Sequence, residues 1–172
     1  MQNNSVWEEV HLADLTFNPF TLIGSEWMLV TAGDENDHNT MTASWGGLGV
    51  LWKKDVSFVF VRPQRYTLQF MEQQDCYSLC FFDKEHKSAL AYCGSHSGRD
   101  VDKDKETGLT ARFDQCAPYY EEARLVLFCR KMSCQPMDPA SFIDPTIDGE
   151  IYPDKDYHNV FVGAIEKVLI RK

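Results

Sequence analysis

The chain has 172 residues, a hydrophobic share of 44% and a formal net charge of -9 at pH 7. This length and hydrophobic share allow one packed domain over residues 1–172 and exclude a largely disordered chain. The net charge is acidic, and the sequence shows no cluster of basic residues of the kind that nucleic-acid binding needs. The stretch MQNNSVWEEV is not a targeting signal, and no run approaches the ~18 apolar residues of a membrane span. We therefore expect a cytoplasmic protein with no nucleic-acid and no membrane partner.

Six cysteines are spread through the chain without a C-x-x-C pair. The tightest spacings, Cys76 to Cys80 and Cys129 to Cys134, are too loose for a zinc motif, and no paired histidines follow them. The chain is also longer than a disulfide-stapled scaffold and carries no secretion signal. We predict free thiols, buried or half-buried, and no metal site.

The first half of the chain predicts four strands and one helix. Residues 21–33 are apolar and predict a strand that bends at its internal glycine. Residues 39–45 alternate apolar and small polar side chains as a strand does, and the GGLG that follows predicts a flexible loop. Residues 55–63 and 76–82 are rich in aromatic and β-branched residues and predict strands. Between them, residues 64–74 have the spacing of a helix.

The next segments predict a helix and a charged connection. Residues 83–98 predict a helix that Asp83 caps and that ends at Gly94 or Gly98. Residues 99–108 alternate Asp with Lys and predict a mobile loop.

The C-terminal third predicts two long strands, residues 121–134 and 157–172, the second with Gly163 as a bulge. Residues 138–156 hold three prolines and predict irregular structure with a single helical turn. Strands therefore outnumber helices, and the pattern indicates a mainly β protein, a β-barrel with peripheral helices.

The chemistry-bearing motifs point to a cofactor and an anion. No nucleophile elbow, phosphate loop or dinucleotide fingerprint is present, but a bound cofactor can carry a reaction without a side-chain nucleophile. In RPQRYT a strand ends at Arg62 and a helix follows Pro63, which brings Arg62, Arg65 and Thr67 to a junction suited to a phosphate. The alternative is that both arginines pair with surface carboxylates.

The central block NTMTASWGGLGVLWKKDVSFVFVRPQRYTLQFMEQQDCYSLCFF resembles the flavin reductase-like group of FMN-binding split-barrel proteins, in particular its flavoredoxin-like branch. SGRDVDK and YHNVFVGAIEKV fit the same order. The resemblance implies an FMN-binding split β-barrel with peripheral helices, assembled as a homodimer with FMN near the subunit interface. It also implies that NAD(P)H reduces the flavin, which passes electrons to a small-molecule or protein acceptor.

The resemblance also implies roles for individual residues. Thr42, Ser44 and Trp45 would lie beside the isoalloxazine ring and ribityl chain, and the backbone of Gly46 and Gly47 would approach the ring's polar edge. The phosphate would be held by Arg62, Arg65 and Thr67, and the pocket would be edged by Ser97, Gly98 and Arg99. Each of these roles has an alternative. Trp45 can be a core or interface anchor, and Thr42 and Ser44 can be the solvent-facing side of an edge strand. Residues 97–99 can be a helix stop with a surface charge.

His158 lies where related reductases have a histidine near the flavin and nicotinamide, and we take it as a candidate catalytic residue. The alternative is a structural histidine ahead of an apolar strand. The sequence here is DYHN, where the reductases have Gly-Asp-His. Two other functions stay open at this point: a non-catalytic FMN-binding electron carrier for a partner protein, and a β-barrel that binds a different small ligand.

Overall fold

A computed structural model describes residues 6–172 of the chain. More of its residues lie in strands than in helices, as predicted for a mainly β protein. They are β1 (Trp7–Glu9), β2 (Met28–Gly33), β3 (His38–Ala43), β4 (Gly46–Leu51), β5 (Lys54–Val61), β6 (Cys76–Phe81), β7 (Ala111–Arg112), β8 (Tyr119–Tyr120), β9 (Leu125–Pro136) and β10 (Asn159–Arg171).

The large antiparallel sheet has the strand order β3-β2-β6-β9-β10-β5-β4, with β1 paired to β10 and a separate β7-β8 hairpin. Its two edges, β3 and β4, are consecutive in the chain and are joined only by Ser44 and Trp45. Two residues span no more than about 11 Å between the flanking Cα atoms. The sheet must therefore curl until its edges face each other, and it closes into a barrel with an unpaired seam between β3 and β4.

The core follows from the alternation of side chains along the central strands. On β6, Tyr77 and Leu79 pack on one face with Phe70 and Met71, while Cys76 and Cys80 pack on the other face with Leu90. The first face is the barrel interior, which side chains of β2, β3, β5, β9 and β10 also fill. The second face is covered by the helix that carries Leu90 and by Tyr119 and Tyr120 of β8. Gly163 on β10 sits at a shift in the pairing register, where a Cβ would lie 2.8 Å from Cζ of Tyr77. The predicted bulge is confirmed.

The helices lie around the barrel: α1 (Pro19–Thr21), α2 (Thr67–Gln73), α3 (Lys87–Ser95), α4 (Lys103–Thr107) and α5 (Thr146–Glu150). Helix α2 packs on β2 and β3, α3 packs on β3, and α4 packs on α3. The predictions of helices within residues 64–74 and 83–98 are confirmed. Asp83 precedes the second of these, but its side chain makes no capping bond and pairs with Arg124 at 3.6 Å.

The prediction of one strand over residues 21–33 is wrong for its first half. The Asn18 side chain accepts a hydrogen bond from the Phe20 N–H at 3.0 Å, and Pro19 occupies the first helical turn, so a helical segment begins there. It continues as a wider turn through Glu26, past Gly24, and β2 begins only at Met28. The apolar run alone did not distinguish a buried helical turn from a strand.

Two predicted loops are ordered elements. GGLG belongs to β4, which pairs with β5 from Gly46 to Leu51. At Gly46 (φ 154°) a Cβ would lie 2.9 Å from the Phe58 carbonyl oxygen, so the glycine permits close strand pairing. Within residues 99–108 the chain forms α4, because Asp102 caps its N-terminus and Gly108 ends it with a left-handed backbone.

The cysteines divide by exposure among the described residues. Cys76, Cys80, Cys93 and Cys129 are buried free thiols, as predicted, whereas Cys116 and Cys134 are exposed. In residues 6–172 no helix has both the length and the apolar character to cross a membrane.

Candidate functional site

Two cavities lie side by side where β3, the start of α2 and the end of α3 meet. The smaller, of about 170 Å³, lies along residues 41–45 at the barrel seam and also contacts Phe60 and His158; we name it the seam cavity. The larger, of about 340 Å³, contacts Asn39, Thr67, Ser97 and Lys103, and we name it the basic cavity. Both are also lined by Met41, Arg62 and Arg65, so one elongated ligand can occupy both.

The basic cavity contains two cations, the buried Lys103 and the half-buried Arg65, and neither has a carboxylate partner among residues 6–172. Lys103 is 6% exposed, and its ammonium donates hydrogen bonds to the carbonyl oxygens of Thr40 (2.7 Å) and Cys93 (2.9 Å). Arg65 donates from Nη1 to the Gly94 carbonyl at 2.7 Å. Burial lowers the pKa of both groups. Because an isolated buried charge is unfavourable, this arrangement favours a bound anion.

Hydroxyl groups complete the lining of the basic cavity. Asn39 donates from Nδ2 to the Thr67 hydroxyl oxygen at 2.8 Å, which leaves the Thr67 proton available to a ligand. The Ser97 hydroxyl oxygen accepts the Arg99 backbone N–H at 3.2 Å, and its proton is likewise available. Two hydroxyl donors beside two cations form a donor set suited to phosphate oxygens.

Arg62 differs from Arg65 because it has a carboxylate partner. Its guanidinium pairs with Asp156, and it also donates to the Ile151 carbonyl at 3.0 Å. Gln64 donates to the same Asp156 carboxylate at 2.6 Å. These bonds lower the pKa of Asp156, Arg62 first and Gln64 second. The alternative reading of the arginines as partners of carboxylates therefore applies to Arg62, which anchors residues 151–156 beside the cavities.

The wall of the seam cavity combines a tryptophan with small polar side chains. Trp45 is 48% exposed, and its ring centroid lies 5.4 Å from that of His158. The Thr42 hydroxyl donates to the Leu90 carbonyl, so it fixes β3 against α3 and offers only its oxygen lone pairs to the cavity. Ser44 also lines this wall. The wall therefore offers an aromatic surface beside polar groups, an arrangement suited to a flat aromatic ligand.

His158 is buried at 7% exposure, with its Nδ1 atom 2.7 Å from the Tyr152 hydroxyl. Burial, and secondly the nearby Arg62 charge, lower the pKa of His158 to about 4. The imidazole is therefore neutral near pH 7. A neutral imidazole can donate or accept a hydrogen bond in the seam cavity without adding charge.

Six of the predicted site residues line the seam cavity: Thr42, Ser44, Trp45, Arg62, Arg65 and His158. The basic cavity is lined by Arg62 and Arg65 again, and by the predicted Thr67 and Ser97. Gly98 lines a neighbouring cavity and presses against Asn39. Besides Gly98, three predicted residues line neither of the two cavities: Gly46 and Gly47 pair with β5, and Arg99 lies over the Tyr66 ring at 4.7 Å.

Sequence reasoning missed Asn39, Lys103 and Tyr152 as members of the site. Lys103 lies in an alternating Asp-Lys stretch that is typical of a solvated surface, and its burial depends on carbonyls of β3 and α3. Tyr152 lies among prolines in an irregular segment, and only the folded chain places it against His158. A capping signal at Asp102 was the one local indication that Lys103 begins a helix.

A family model described as a flavin reductase like domain matches residues 20–172. Among solved structures, a Shewanella baltica FMN-binding domain of flavin reductase-like enzymes is 16% identical over 96% of this chain and 77% of its own, with a TM-score of 0.68. Flavoredoxin of Desulfovibrio vulgaris is 20% identical over 96% and 78%, with a TM-score of 0.66. No curated protein matches the chain.

A third similar structure is a Streptomyces globisporus NADH:FAD oxidoreductase in complex with NAD and FAD fragments. It is 15% identical over 85% of this chain and 80% of its own, with a TM-score of 0.61. Identities at this level show a shared fold. That fold is the split barrel, so the predicted fold class is confirmed.

Proposed function

This chain belongs to the flavin reductase-like family, and on that premise we propose that it binds FMN across the seam and basic cavities and transfers hydride from NAD(P)H to it. The observation that carries the proposal is the pair of cations formed by half-buried Arg65 and buried Lys103, which have no carboxylate partner among residues 6–172. A flavin mononucleotide joins a flat aromatic ring to a phosphate, and the two cavities offer an aromatic wall beside a cationic one.

The phosphate end of FMN fits the basic cavity. Arg65 and Lys103 would supply charge, and the hydroxyls of Thr67 and Ser97 would supply two further donors. Desolvation lowers the pKa of both cations, and the negative charge of a bound phosphate would offset this unfavourable effect. Arg62 would contribute mainly by holding residues 151–156 in place through its ion pair with Asp156.

The ring end of FMN fits the seam cavity. Trp45 would offer its face or edge to the isoalloxazine, and Ser44 would offer a hydroxyl. Gly46 and Gly47 would contribute indirectly, by letting β4 pair closely with β5 directly after the seam.

The chemistry in this proposal comes from the cofactor, since a bound flavin supplies the acceptor for a hydride, which carries two electrons. The chain's own residues would bind, orient and shield it. His158 is neutral near pH 7, so it would contribute a hydrogen bond and not an imidazolium charge. The electrons would pass on to a small-molecule or protein acceptor.

We propose a homodimer, because the seam edge of the barrel is exposed and apolar. Strand β4 pairs on one side only, and Trp45, Val50 and Trp52 on and beside it are exposed. An unpaired edge with apolar side chains is suited to burial by a second copy. A cytoplasmic location remains part of the proposal.

A second candidate is a non-catalytic FMN-binding electron carrier. It is favoured by residues 151–156, which Arg62 holds beside the seam cavity through Asp156 and the Ile151 carbonyl. A segment fixed there restricts the space beside a bound ring, which suits electron exchange with a partner protein more than entry of a nicotinamide.

An absorbance titration separates these functions. Under the proposal, FMN added to the purified protein develops the perturbed spectrum of a bound flavin, and anaerobic NADH or NADPH bleaches it. A carrier binds FMN but is bleached only by dithionite or a reduced partner. A barrel for another ligand leaves the FMN spectrum unperturbed, and this result would end the proposal.

A further inference from the structure

Tyr152 and His158 form a hydrogen-bonded pair behind the seam cavity. The Tyr152 hydroxyl lies 2.7 Å from Nδ1 of His158, and the two rings meet edge to face at 5.5 Å. Nδ1 therefore points away from the cavity into the pair. The other ring nitrogen, Nε2, has no hydrogen-bond partner among residues 6–172, although His158 lines the cavity.

The acceptors around the Tyr152 hydroxyl favour one assignment of the proton between the two rings. Tyr152 also lies 3.3 Å from the Met137 sulfur, which is its only other acceptor among the described residues. A thioether is a weak acceptor, whereas the lone pair of a neutral imidazole is a strong one. The phenol therefore donates to Nδ1. A neutral imidazole whose Nδ1 accepts a bond carries its own proton on Nε2.

Tyr152 is itself held rigidly. The residue is 3% exposed, Phe142 stacks on its ring at 5.9 Å, and the Arg62 guanidinium lies 5.2 Å above the ring centroid. Because Arg62 also binds Asp156 and the Ile151 carbonyl, the segment that carries Tyr152 is fixed at both sides of the tyrosine.

From this geometry we propose that Tyr152 is a positioning residue, which fixes His158 as the neutral tautomer with its proton on Nε2. The seam cavity thereby receives an uncharged N–H donor, suited to a carbonyl oxygen or an unprotonated ring nitrogen of the bound ligand. His158 then acts as a hydrogen-bond donor that keeps its proton, and not as an acid that releases it. The role toward a flavin rests on the proposed function, whereas the tautomer does not.

The tautomer can be measured in the ligand-free protein by ¹⁵N–¹H correlation NMR of histidine side chains at pH 7. We expect His158, identified by its loss in His158→Gln, to show a protonated Nε2 and an unprotonated Nδ1. A protonated Nδ1 in the wild-type protein would overturn the proposal; the tautomer is measured in the wild-type protein, and the variant serves only to assign the signal.

Two tyrosine variants test the cause. Tyr152→Phe keeps the ring stacking and removes the hydroxyl, so His158 should change to a mixture of tautomers. Tyr157→Phe is the matched control, because this neighbouring tyrosine contacts the Tyr152 ring at 5.1 Å but donates its hydroxyl to Asp148. An unchanged His158 tautomer in a folded Tyr152→Phe protein, or an equal change in Tyr157→Phe, would also overturn the proposal.

Kinetics supply the functional readout. If His158 donates to the flavin, Tyr152→Phe should slow flavin reduction by about two- to tenfold, the effect of one neutral hydrogen bond, with FMN affinity changed less than twofold. Failure of FMN to bind the wild-type protein would reject the proposed function and leave the tautomer result standing. Normal FMN binding with the wrong tautomer would reject the positioning role alone.

Discussion

Asn39 donates a hydrogen bond from Nδ2 to the hydroxyl oxygen of Thr67, and this 2.8 Å bond joins edge strand β3 to the first residue of helix α2. Both residues are buried, and they are 28 positions apart in the sequence. The bond occupies a lone pair of the Thr67 hydroxyl and leaves its proton available for donation in the basic cavity. It also fixes the Asn39 amide, against which the turn after α3 packs.

The first prediction concerns Gly98, which lies against that amide. A Cβ at this position would lie 2.9 Å from Cγ of Asn39, which cannot move without breaking its bond to Thr67. Gly98→Ala should therefore lower the melting temperature and weaken FMN binding at least several-fold. Thermal denaturation and fluorescence titration measure the two effects.

The control for Gly98 is Gly149, which has open space around it and lies within α5. Gly149→Ala should keep FMN affinity and stabilise the protein by up to about 1 kcal/mol, since alanine favours a helix more than glycine does. Equal behaviour of the two alanine variants would show that the approach of Gly98 to Asn39 has no role.

Local sequence signals were sufficient for much of this fold. The strands β5, β6, β9 and β10 and the helices α2 and α3 follow from periodicity and from the residues that end them. The same rules failed at residues 21–26, where an apolar run forms a helical turn after the Asn18 cap. They failed again at α4, where the alternating charges predicted a mobile loop. Asp102 caps a helix there, and Gly108 ends it.

The candidate site was predictable in part, from one local junction and from the family resemblance. Arg65 and Thr67 share a strand-to-helix junction that the sequence itself indicated, whereas the family resemblance supplied Thr42, Ser44, Trp45, Ser97 and His158. The remaining members depend on distant contacts. Lys103 reaches the Thr40 carbonyl across 63 positions, and Asp156 reaches Arg62 across 94. No local pattern specifies such pairs.

The second prediction concerns the pH dependence of stability. Burial lowers the pKa of His158 from 6.5 in a solvated histidine to about 4 in the fold. Between these values the unfolded chain binds a proton that the folded chain does not, so stability falls as pH falls from about 6.5 toward 4. The contribution of His158 is at most about 3 kcal/mol, and it is constant above the upper value.

Urea unfolding at pH 7 and pH 4.5 tests this effect. His158→Gln keeps a polar side chain but removes the titrating group, so it should lose less stability than the wild-type protein between the two pH values. Identical losses in both proteins would mean that His158 titrates in the fold much as it does in the unfolded chain.

The third prediction concerns assembly. If β4 forms the interface of a homodimer, Trp52→Glu should shift the protein toward monomer, because it places a charge on the exposed apolar edge. Phe113→Glu is the control, since Phe113 is also exposed but lies against His38, at the end of β3 away from the seam. Light scattering at micromolar concentration should show a dimer for the wild-type protein and this control. A wild-type monomer would reject the homodimer.

The last prediction separates the cations of the basic cavity. Arg65 and Lys103 lack carboxylate partners among residues 6–172, whereas Arg62 pairs with Asp156. A charge-assisted hydrogen bond to phosphate is worth about 1.5–3 kcal/mol, so Arg65→Ala or Lys103→Met should weaken FMN binding roughly ten- to a hundredfold. Arg62→Ala should weaken it less, since part of its bonding already goes to Asp156.

Riboflavin makes this test specific, because it carries the same ring without the phosphate. Its affinity should change less than twofold in Arg65→Ala and Lys103→Met, as measured by flavin fluorescence quenching. If both variants keep wild-type FMN affinity, or if riboflavin binding falls as much as FMN binding, then the basic cavity does not hold the phosphate. In that case the uncompensated charges of Arg65 and Lys103 serve a different anion, and the position of FMN along the seam would have to be reassigned.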